Sequence, residues 1–594
     1  MADYLAPLAD MRFVIERLTP LADITRLEGF EDATPDLVES VLDGAAQLAS
    51  EVLSPLNWTG DQVGATHTGE GVRTAPGWQA AYRQFVDGGW NGLSCAPEFG
   101  GQGLPKVVAT AVNEMWNSAN LSFALAPMLT QGAIEAIEHH GTDAQRAAYL
   151  PRMVSGDWTG TMNLTEPQAG SDLSAVRTRA ERHADHYRIF GQKIYITYGE
   201  HDLTDNIIHL VLARVTGAPA GTRGLSLFIV PKFLLDAAGA SGARNEVRCA
   251  SLEHKLGIHA SPTAVMLYGE GSGATGYLVG EENRGLEYMF TMMNNARHAV
   301  GLEGVAIAER AYQRALSFAR ERVQGRPSGY TERELPSIIE HPDVKRMLLT
   351  MKSGVEAMRA LAYVCGAAFD RGARESDTAT AAWFRRRGDL LTPIVKGWCT
   401  EFGQELASVG IQVHGGMGFI EETGAAQYLR DARITTIYEG TTGVQAGDLV
   451  GRKTLRDGGA GARELLGEIQ ADANQLALVV DPRAAEIAAA LRAGTAALEG
   501  VLAWLLEHAA ETALTAAGSV HYLRLWGLVA GAWQLERAAG ICLDPAAGVE
   551  TEFAAAKIGT AHFFAVQILP EAESLARKII GGSASVLAFN SRAL

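Results

Sequence analysis

Two segments of the sequence combine residue types that could hold a planar, polar heterocycle. The first, Thr161–Asp172, places small side chains beside hydroxyl groups and backbone donors, a combination that suits such a ring and its phosphates. The second, Gly191–Thr197, has Tyr195 and Thr197 two residues apart. They are therefore expected on one face of a strand, where both could contact a ring. Taken alone, the first segment is more simply explained as an ordinary turn rich in proline and glycine.

Other motifs are excluded by their surroundings. Gly271–Gly276 fits the glycine pattern that admits a pyrophosphate to a helix N-terminus, but it leads into the strand-like Tyr277–Val279, which predicts a hairpin loop. His414–Gly418 is similar to a hydrolase oxyanion loop, yet the chain contains no Gly-x-Ser-x-Gly nucleophile motif. Adjacent His139 and His140 point in different directions on a helix, so they predict a solvated helix end and no metal site.

Composition narrows the class of protein. The 594-residue chain has 51 lysine and arginine residues against 68 aspartate and glutamate residues, a formal charge of −17 at pH 7, which excludes a generally basic nucleic-acid-binding protein. Apolar residues make up 47% of the chain, enough for several buried cores. With five cysteines and no Cys-x-x-Cys pair, we expect neither a disulfide framework nor a zinc site. The acidic N-terminus and the lack of a stretch of about 20 uncharged apolar residues predict a cytoplasmic protein without a membrane span.

The elements that must position the two segments follow a helix, strand, helix order. Helical periodicity dominates residues 1–157. Short strand-like runs punctuated by glycine and proline occupy residues 158–285 and predict an antiparallel barrel or sandwich. Residues 286–457 return to long helices with one apolar face, as in a helical bundle. Beyond the linker Gly458–Gly461, residues 458–594 predict a helical extension. The expected fold class is therefore α+β, mostly α.

Three blocks of residues near the end of the predicted bundle carry a resemblance to a known family. They are Gly410–Phe419, Tyr428–Arg433 and Ile437–Gln445. In this order, and together with the two segments above, they closely resemble the acyl-CoA dehydrogenase family over roughly residues 35–453. The chain length, the Asn163–Pro167 variant and the C-terminal extension are most similar to the 3-methylmercaptopropionyl-CoA dehydrogenase branch of that family.

The resemblance implies an N-terminal helical domain, a central β-barrel, a four-helix bundle and bound FAD. Tyr195 and Thr197 stand where the family has a tryptophan that stacks on the isoalloxazine and a threonine that bonds flavin N5. Tyr195 offers a smaller stacking area than tryptophan. Thr165 would lie near the pyrimidine side of the ring and Ser171 near the CoA moiety. The residues expected to line the flavin in the first segment are Met162, Asn163, Leu164, Thr165, Gly170 and Ser171.

Further cofactor and substrate positions follow from the same resemblance. Arg322 matches an arginine that reaches FAD phosphates across a subunit interface, and the alternative for it is a solvated helix charge. The family phenylalanine that follows this arginine has no clear counterpart here. The remaining cofactor positions are Gln412, Val413, His414, Gly415, Gly416 and Thr441. The substrate-side positions are Ser171, Asn294, Arg297 and Gly440, with Asn294 in place of a common aspartate.

Glu439 matches the family's catalytic base. Removing hydrogen from an unactivated Cα–Cβ bond of an acyl thioester requires a base and a hydride acceptor; no side chain can accept a hydride, so a cofactor is needed. By resemblance, the backbone N–H of Glu439 and a ribityl hydroxyl would polarise the thioester carbonyl. Some relatives place the base on another helix, at a position that is Ala296 in this chain. The base assignment therefore rests on Glu439.

The implied activity is dehydrogenation of an acyl-CoA, as in fatty acid β-oxidation, with electrons passed to electron-transfer flavoprotein. An acyl-CoA oxidase that uses O₂ is an alternative, disfavoured by the shorter chain and the lack of a C-terminal Ser-Lys-Leu. A catalytically silent acyl-CoA-binding protein is a second alternative, disfavoured by the intact Glu439, Thr165 and Thr197. We expect a homodimer, because the extension could cover the surface that simpler relatives use to form tetramers.

Overall fold

The structure is a computed structural model that describes residues 4–593. Of residues 291 and 292 it describes only the backbone. The chain divides into two compact units. One, called here the barrel unit, comprises residues 44–104 and 115–296. The other, called the bundle unit, comprises the described residues of 1–43, 105–114 and 297–594. The predicted four-part division of the chain stays a prediction.

Long helices dominate the part of the chain that the structure describes, and short 3-10 and π-helical turns join several of them. Helix α6 is interrupted at Asn120, whose backbone is not helical. The α-helices are α1 (Leu8–Phe13), α2 (Leu21–Ile24), α3 (Pro35–Leu48), α4 (Ser54–Val63), α5 (Trp78–Asp87), α6 (Lys106–His140), α7 (Asp143–Ser155), α8 (Gly285–Glu321), α9 (Pro342–Arg374), α10 (Thr378–His414), α11 (Ala425–Thr435), α12 (Thr442–Val450), α13 (Ala460–Leu476), α14 (Pro482–Glu507), α15 (Thr512–Ala517), α16 (Ser519–Leu543), α17 (Thr551–Phe563) and α18 (Glu571–Ala588).

The described strands lie in the barrel unit. They are β1 (Thr66–Thr68), β2 (Gly71–Arg73), β3 (Trp158–Asn163), β4 (Arg179–His183), β5 (His186–Thr197), β6 (Asn206–Val215), β7 (Leu225–Pro231), β8 (Phe233–Leu235), β9 (Ser241–Arg244), β10 (Val247–Leu252), β11 (Thr263–Tyr268) and β12 (Ala274–Val279). Strands β5, β12, β7, β6 and β4 pair in a closed ring, so the predicted barrel is present. One pair of the ring, β4 with β6, is parallel rather than antiparallel, and β3 lies parallel to β6 outside the ring.

The predicted hairpin at Gly271–Gly276 is wrong. Strands β11 and β12 do not pair with each other; both lie antiparallel along β5, and residues 269–273 form a protrusion between them. The carboxylate of Glu246 accepts hydrogen bonds from the backbone N–H groups of Gly271, Ser272 and Gly273 at 3.0–3.1 Å. The side-chain and backbone donors of Ser272, followed by those of the two glycines, hold the pKa of Glu246 at about 2. The chain's own anion therefore occupies the donors that a pyrophosphate would need.

In the bundle unit, the apolar face predicted for the first bundle helix is buried. Val300, Ile307, Ala311 and Ala315 on α8 are at most 3% exposed. Glycines let α8 approach α10 closely: a Cβ added to Gly301 would lie 2.6 Å from Val395. Added Cβ atoms on Gly304 and Gly403 would likewise overlap the facing backbone. Polar groups on the facing sides of these two helices are consequently held near one another.

A tryptophan of the bundle packs closely against the C-terminal extension. Trp398 of α10 is 1% exposed, and a Cβ added to Gly531 of α16 would lie 2.6 Å from its ring. Gly527, one turn earlier on α16, has even less room beneath the same ring. The glycine-rich segment predicted as a linker is a tight turn, because α13 begins at Ala460. Bundle and extension thus share one core.

One helix of the extension, α14, is long and apolar enough to cross a membrane by length and composition. Such a helix had not been expected from the sequence. In the most apolar window of α14, 44% of the residues are buried against the protein. Its fully buried residues include Ala484, Leu498 and Leu505, as in a core helix of a helical domain.

A buried ionic cluster ties the N-terminal helix to the bundle and the extension. Arg359 on α9 is 1% exposed and contacts Asp10 of α1, Glu114 of α6 and Glu309 of α8, each at 2.6 Å. Lys557 of α17 also pairs with Asp10. A buried guanidinium of this kind is held by several carboxylates because an unpaired charge would be costly to bury.

Candidate active site

The carboxylate predicted to act as base lies in a strained turn of the bundle unit. Glu439 has φ +53° and Gly440 has φ +88°, in the left-handed region that a residue with a Cβ rarely adopts. The turn joins α11 to α12. Gln445, fully buried on α12, holds it by donating to the carbonyl oxygens of Glu439 and Gly440 at 3.1 and 3.2 Å. Strain of this kind persists only where the surroundings impose it, and it is frequent at functional sites.

Neither the side chain nor the backbone N–H of Glu439 forms a hydrogen bond with a described residue. The carboxylate is partly buried and accepts no hydrogen bond from a described residue, and the N–H donates none. Burial raises the pKa of Glu439, while the charges of Lys396 and Arg297 lower it, and the net shift is upward. A carboxylate with a raised pKa and open oxygens is suited to take a proton from carbon. The open N–H beside it can donate to a carbonyl oxygen.

Other groups around the turn are engaged with the protein. The hydroxyl of Thr441, predicted to contact the cofactor, caps α12 by accepting from the N–H of Val444 at 3.3 Å. The next residue, Thr442, donates to Glu401 of α10. These contacts fix the start of α12 and hence the turn before it.

Arg297, predicted on the substrate side, is 3% exposed and bonds Asp448 of α12 at 3.1 Å. Its charge acts on Glu439, which makes it part of the environment of the base. Asn294 belongs to the barrel unit, is partly buried and makes contacts with the protein.

In the barrel unit, the first predicted segment is braced by a buried ion pair that sequence reasoning missed. Glu166, 3% exposed, pairs with fully buried Lys193 of β5 at 2.9 Å. The same carboxylate accepts from the N–H groups of Arg177 and Thr178 at 2.8 and 3.0 Å. Although burial opposes it, the charge of Lys193 and these hydrogen bonds lower the pKa of Glu166 to about 2. The ionised carboxylate closes the loop after β3 onto the strand that carries Tyr195.

Tyr195 lies on a bulge, where regular strand alternation does not hold. The register of β5 against β11 shifts between Lys193 and Ile196, and Tyr195 has φ +59°. Its side chain is 60% exposed, so the ring is open to contact with a ligand. Thr197 on the same strand, and Thr165 on the loop, are partly buried. Neither hydroxyl bonds a described residue.

The remaining residues predicted to bind FAD differ in how far they are exposed. Met162 and Asn163 end β3 with buried side chains, Leu164 is partly buried, and Gly170 and Ser171 are exposed. Arg322 is exposed just after α8, with a 3.3 Å bond to Gln324. Val413 and His414 are buried, and the His414 ring stacks on Phe318, so only their backbone could face a ligand. Gln412, Gly415 and Gly416 are exposed.

These residues fit a flavin cofactor. In the barrel unit, two threonine hydroxyls without protein partners accompany an exposed aromatic ring, as a polar planar ring requires. In the bundle unit, Cβ atoms added to Gly415 and Gly416 would meet nothing within 4 Å, so a phosphate or a nucleotide could approach the backbone there.

Four regions of the chain match known protein families. Residues 45–157 match the acyl-CoA dehydrogenase N-terminal domain, 161–268 the middle domain and 283–454 the C-terminal domain. Residues 465–590 match a family described as acetyl-CoA dehydrogenase C-terminal like.

Individual relatives extend over nearly the whole chain. The 3-methylmercaptopropionyl-CoA dehydrogenase of Ruegeria pomeroyi is 49% identical over 98% of this chain and 99% of its own. The broad-specificity linear acyl-CoA dehydrogenase FadE5 of Mycobacterium tuberculosis is 35% identical over 91% of both chains. A solved acyl-CoA dehydrogenase of Bacillus anthracis, complexed with FAD, shares the fold with a TM-score of 0.73 at 22% identity, over 96% of this chain and 91% of that one. The predicted α+β fold with a C-terminal helical extension is confirmed, and the chain belongs to the acyl-CoA dehydrogenase family of oxidoreductases.

Proposed function

We propose that this family member oxidises a saturated acyl-CoA thioester to the trans-2-enoyl-CoA, with Glu439 as the base and FAD as the cofactor. The observation that carries the proposal is the turn at Glu439, which presents a partly buried carboxylate and a backbone N–H that no described residue uses. A substrate with an acidic C–H next to a carbonyl would use both.

In this mechanism the N–H of Glu439 donates to the thioester carbonyl oxygen, which makes the α proton more acidic. The Glu439 carboxylate then takes the α proton, helped by the raised pKa that burial gives it. FAD, when bound, supplies the acceptor for the β hydride. Gly440 keeps the space beside the base free of a side chain, and Gln445 fixes the turn through both carbonyls.

The cofactor would be held by the residues that fit it. We assign the hydroxyls of Thr165 and Thr197 and the ring of Tyr195 to the isoalloxazine. Ser171 would lie toward the CoA moiety. Arg322 and the backbone of residues 412–416 would contact the phosphates and the adenine. The proposal is supported by the free hydroxyls, the exposed ring and the open glycines already described.

Replacing Glu439 by glutamine tests the base. Glutamine keeps the size of the side chain but cannot accept the proton, so we expect acyl-CoA-dependent bleaching of the flavin to disappear while FAD stays bound. Glu422→Gln, at an exposed glutamate of the same unit, serves as the control and should bleach normally. Normal turnover by Glu439→Gln would refute the assignment, and a wild-type protein that takes up no FAD would refute the cofactor.

For the substrate, we propose 3-methylmercaptopropionyl-CoA or a fatty acyl-CoA, in line with the names of the two relatives described. A panel of saturated acyl-CoAs from short to long, with the thioether substrate included, should be scored by anaerobic flavin bleaching. Fast bleaching by the thioether alone would favour the first substrate. Similar rates along the linear series would favour the second.

For the acceptor, we propose electron-transfer flavoprotein, and for the assembly a homodimer. Reduction of an artificial acceptor with little O₂ consumption would support the dehydrogenase over the oxidase. Light scattering checks the assembly, since a tetrameric mass would contradict the dimer.

A further inference from the structure

The charge of a buried lysine, whose Nζ has no hydrogen-bond partner among the described residues, acts on the candidate base. Lys396 of α10 is fully buried, and among the described residues its Nζ is the only buried lysine Nζ without a hydrogen-bond partner. Taking an ammonium group out of water without pairing it is costly. The bundle retains it nevertheless, which points to a role beyond packing.

Glu303, Arg297 and Glu401 each make a hydrogen bond, whereas the Nζ of Lys396 makes none with a described residue. Arg297 is bonded by Asp448, which also pairs with Arg452. Glu401 accepts from Thr442. The charged and titratable groups around the turn are Arg297 and Glu303 on α8, Lys396 and Glu401 on α10, Asp431 on α11, Tyr438 beside the base and Asp448 on α12.

Among the carboxyl groups, Glu303 has the largest electrostatic effect on Lys396. It is fully buried on α8 and accepts from the hydroxyl of Tyr438, while its Oε1 has no partner among the described residues. Burial raises the pKa of Glu303 to about 8, against the bond from Tyr438 and the charge of Lys396. Burial therefore favours the uncharged form of Glu303. Burial also lowers the pKa of Lys396 to about 8, and the lysine is protonated below that value.

The helices that carry Glu303 and Lys396, α8 and α10, cross closely beside these two residues. Gly301 and Gly304 flank Glu303, and a Cβ added to Gly301 would lie 2.6 Å from Val395, the neighbour of Lys396. Tyr438, which bonds Glu303, immediately precedes Glu439. The charge of Lys396 acts on both Glu303 and Glu439.

We propose that Lys396 is a positioning residue whose buried positive charge keeps Glu439 ionised and thus ready to accept the α proton. The inference rests on the proposed function of Glu439 as the base. The protonated lysine favours the carboxylate form of Glu439, whereas burial alone would favour the neutral acid, which cannot act as a base. Arg297 adds to the effect, but its charge is shared with Asp448.

The pH profile of turnover tests the proposal in the holoenzyme. The ascending limb of kcat/KM, measured with an acyl-CoA that the wild-type protein accepts, reports ionisation of the base in the free enzyme. Lys396→Met removes the charge at similar length, so we expect the limb to move upward by about one pH unit. Well below the limb this corresponds to a loss of about tenfold in kcat/KM, with recovery at high pH.

The control is Thr400→Val, one turn further along α10. Thr400 is also fully buried and donates to the carbonyl oxygen of Lys396 at 2.8 Å, but its loss changes no charge. We expect its limb to stay where the wild-type limb is. A Lys396→Met enzyme that folds and binds FAD with an unshifted limb would overturn the proposal. Should that variant be isolated unfolded, Lys396→Gln carries the same test with a neutral polar head.

A second readout needs no substrate. Because the folded-state pKa of Lys396 is lowered from 10.5 to about 8, the unfolded chain binds more protons between these values. The stability contributed at this site must then rise with pH across that range. We expect the Tm of the wild-type protein to gain on that of Lys396→Met between about pH 8 and pH 10.5.

The pH profile and the Tm comparison distinguish failure of the proposal for Lys396 from failure of the proposed function. A difference in Tm that does not change with pH would overturn the buried, unpaired ammonium. A wild-type chain that oxidises no acyl-CoA would overturn the proposed function. In that case the Tm comparison would still decide whether Lys396 carries a displaced pKa.

Discussion

Replacing Gly440 by alanine tests whether the strained turn positions the base. At φ +88° an L side chain costs about 1–2 kcal/mol. The new Cβ would also lie 2.8 Å from Nε2 of Gln445, the atom that holds the carbonyls of Glu439 and Gly440. Displacing it would lose hydrogen bonding worth about 1 kcal/mol. Together we expect a loss of about 2–3 kcal/mol in the free energy of unfolding, with the carboxylate moved from its position.

The assay pairs urea unfolding with steady-state dehydrogenation. A shift of the base of about 1 Å should lower kcat by about 100-fold. Gly447→Ala is the matched control: it lies within α12, and a Cβ there would meet nothing within 4 Å. We expect it to raise stability by about 0.5–1 kcal/mol and to leave kcat unchanged. If Gly440→Ala matched this control in both measurements, the turn would not be what positions Glu439.

Two further variants probe other parts of the chain. Arg359→Met leaves Asp10, Glu114 and Glu309 without their shared cation, so we expect unfolding by urea to show a loss of about 3–5 kcal/mol. Adding Glu114→Gln should restore part of that loss, and an unchanged stability in Arg359→Met would contradict the role given to the cluster. Tyr195→Ala should weaken FAD binding by about tenfold through lost stacking, measured by flavin titration, while Tyr195→Trp should not weaken it. The Tyr195 side chain is 60% exposed. Equal FAD binding by Tyr195→Ala and Tyr195→Trp would argue against stacking.

The sequence was informative where a local pattern determines structure. Alternating apolar residues located most barrel strands, and the stripe through Val300, Ile307 and Ala315 located the buried face of α8. The short pair β1 and β2 was missed because its strands are three residues long and lack apolar alternation. The loop at Gly271–Gly276 was misread because neighbouring strands usually pair, whereas β5 is long enough to pair with both β11 and β12.

Within the candidate site, the sequence supplied Glu439 but not its environment. Glu166 and Lys193, or Glu303 and Lys396, are ordinary charged residues until the fold buries them together. Their partners are set by strand and helix crossings that periodicity does not encode. The free backbone N–H of Glu439 was expected only from the resemblance, because its freedom depends on the φ +53° that the turn imposes. Gln445, inside a recognised block, could have been suspected only from its nearness to the turn.

The contact between Trp398 and α16 has a consequence for how shorter proteins of this kind can exist. The indole ring fits against the chain only because residues 527 and 531 are glycines. A protein ending near residue 457 would present that ring to water, with the apolar residues around it. It would therefore have to shield the same patch with a neighbouring subunit or replace the tryptophan. The last quarter of this chain thus does by intramolecular means what oligomerisation would otherwise have to do.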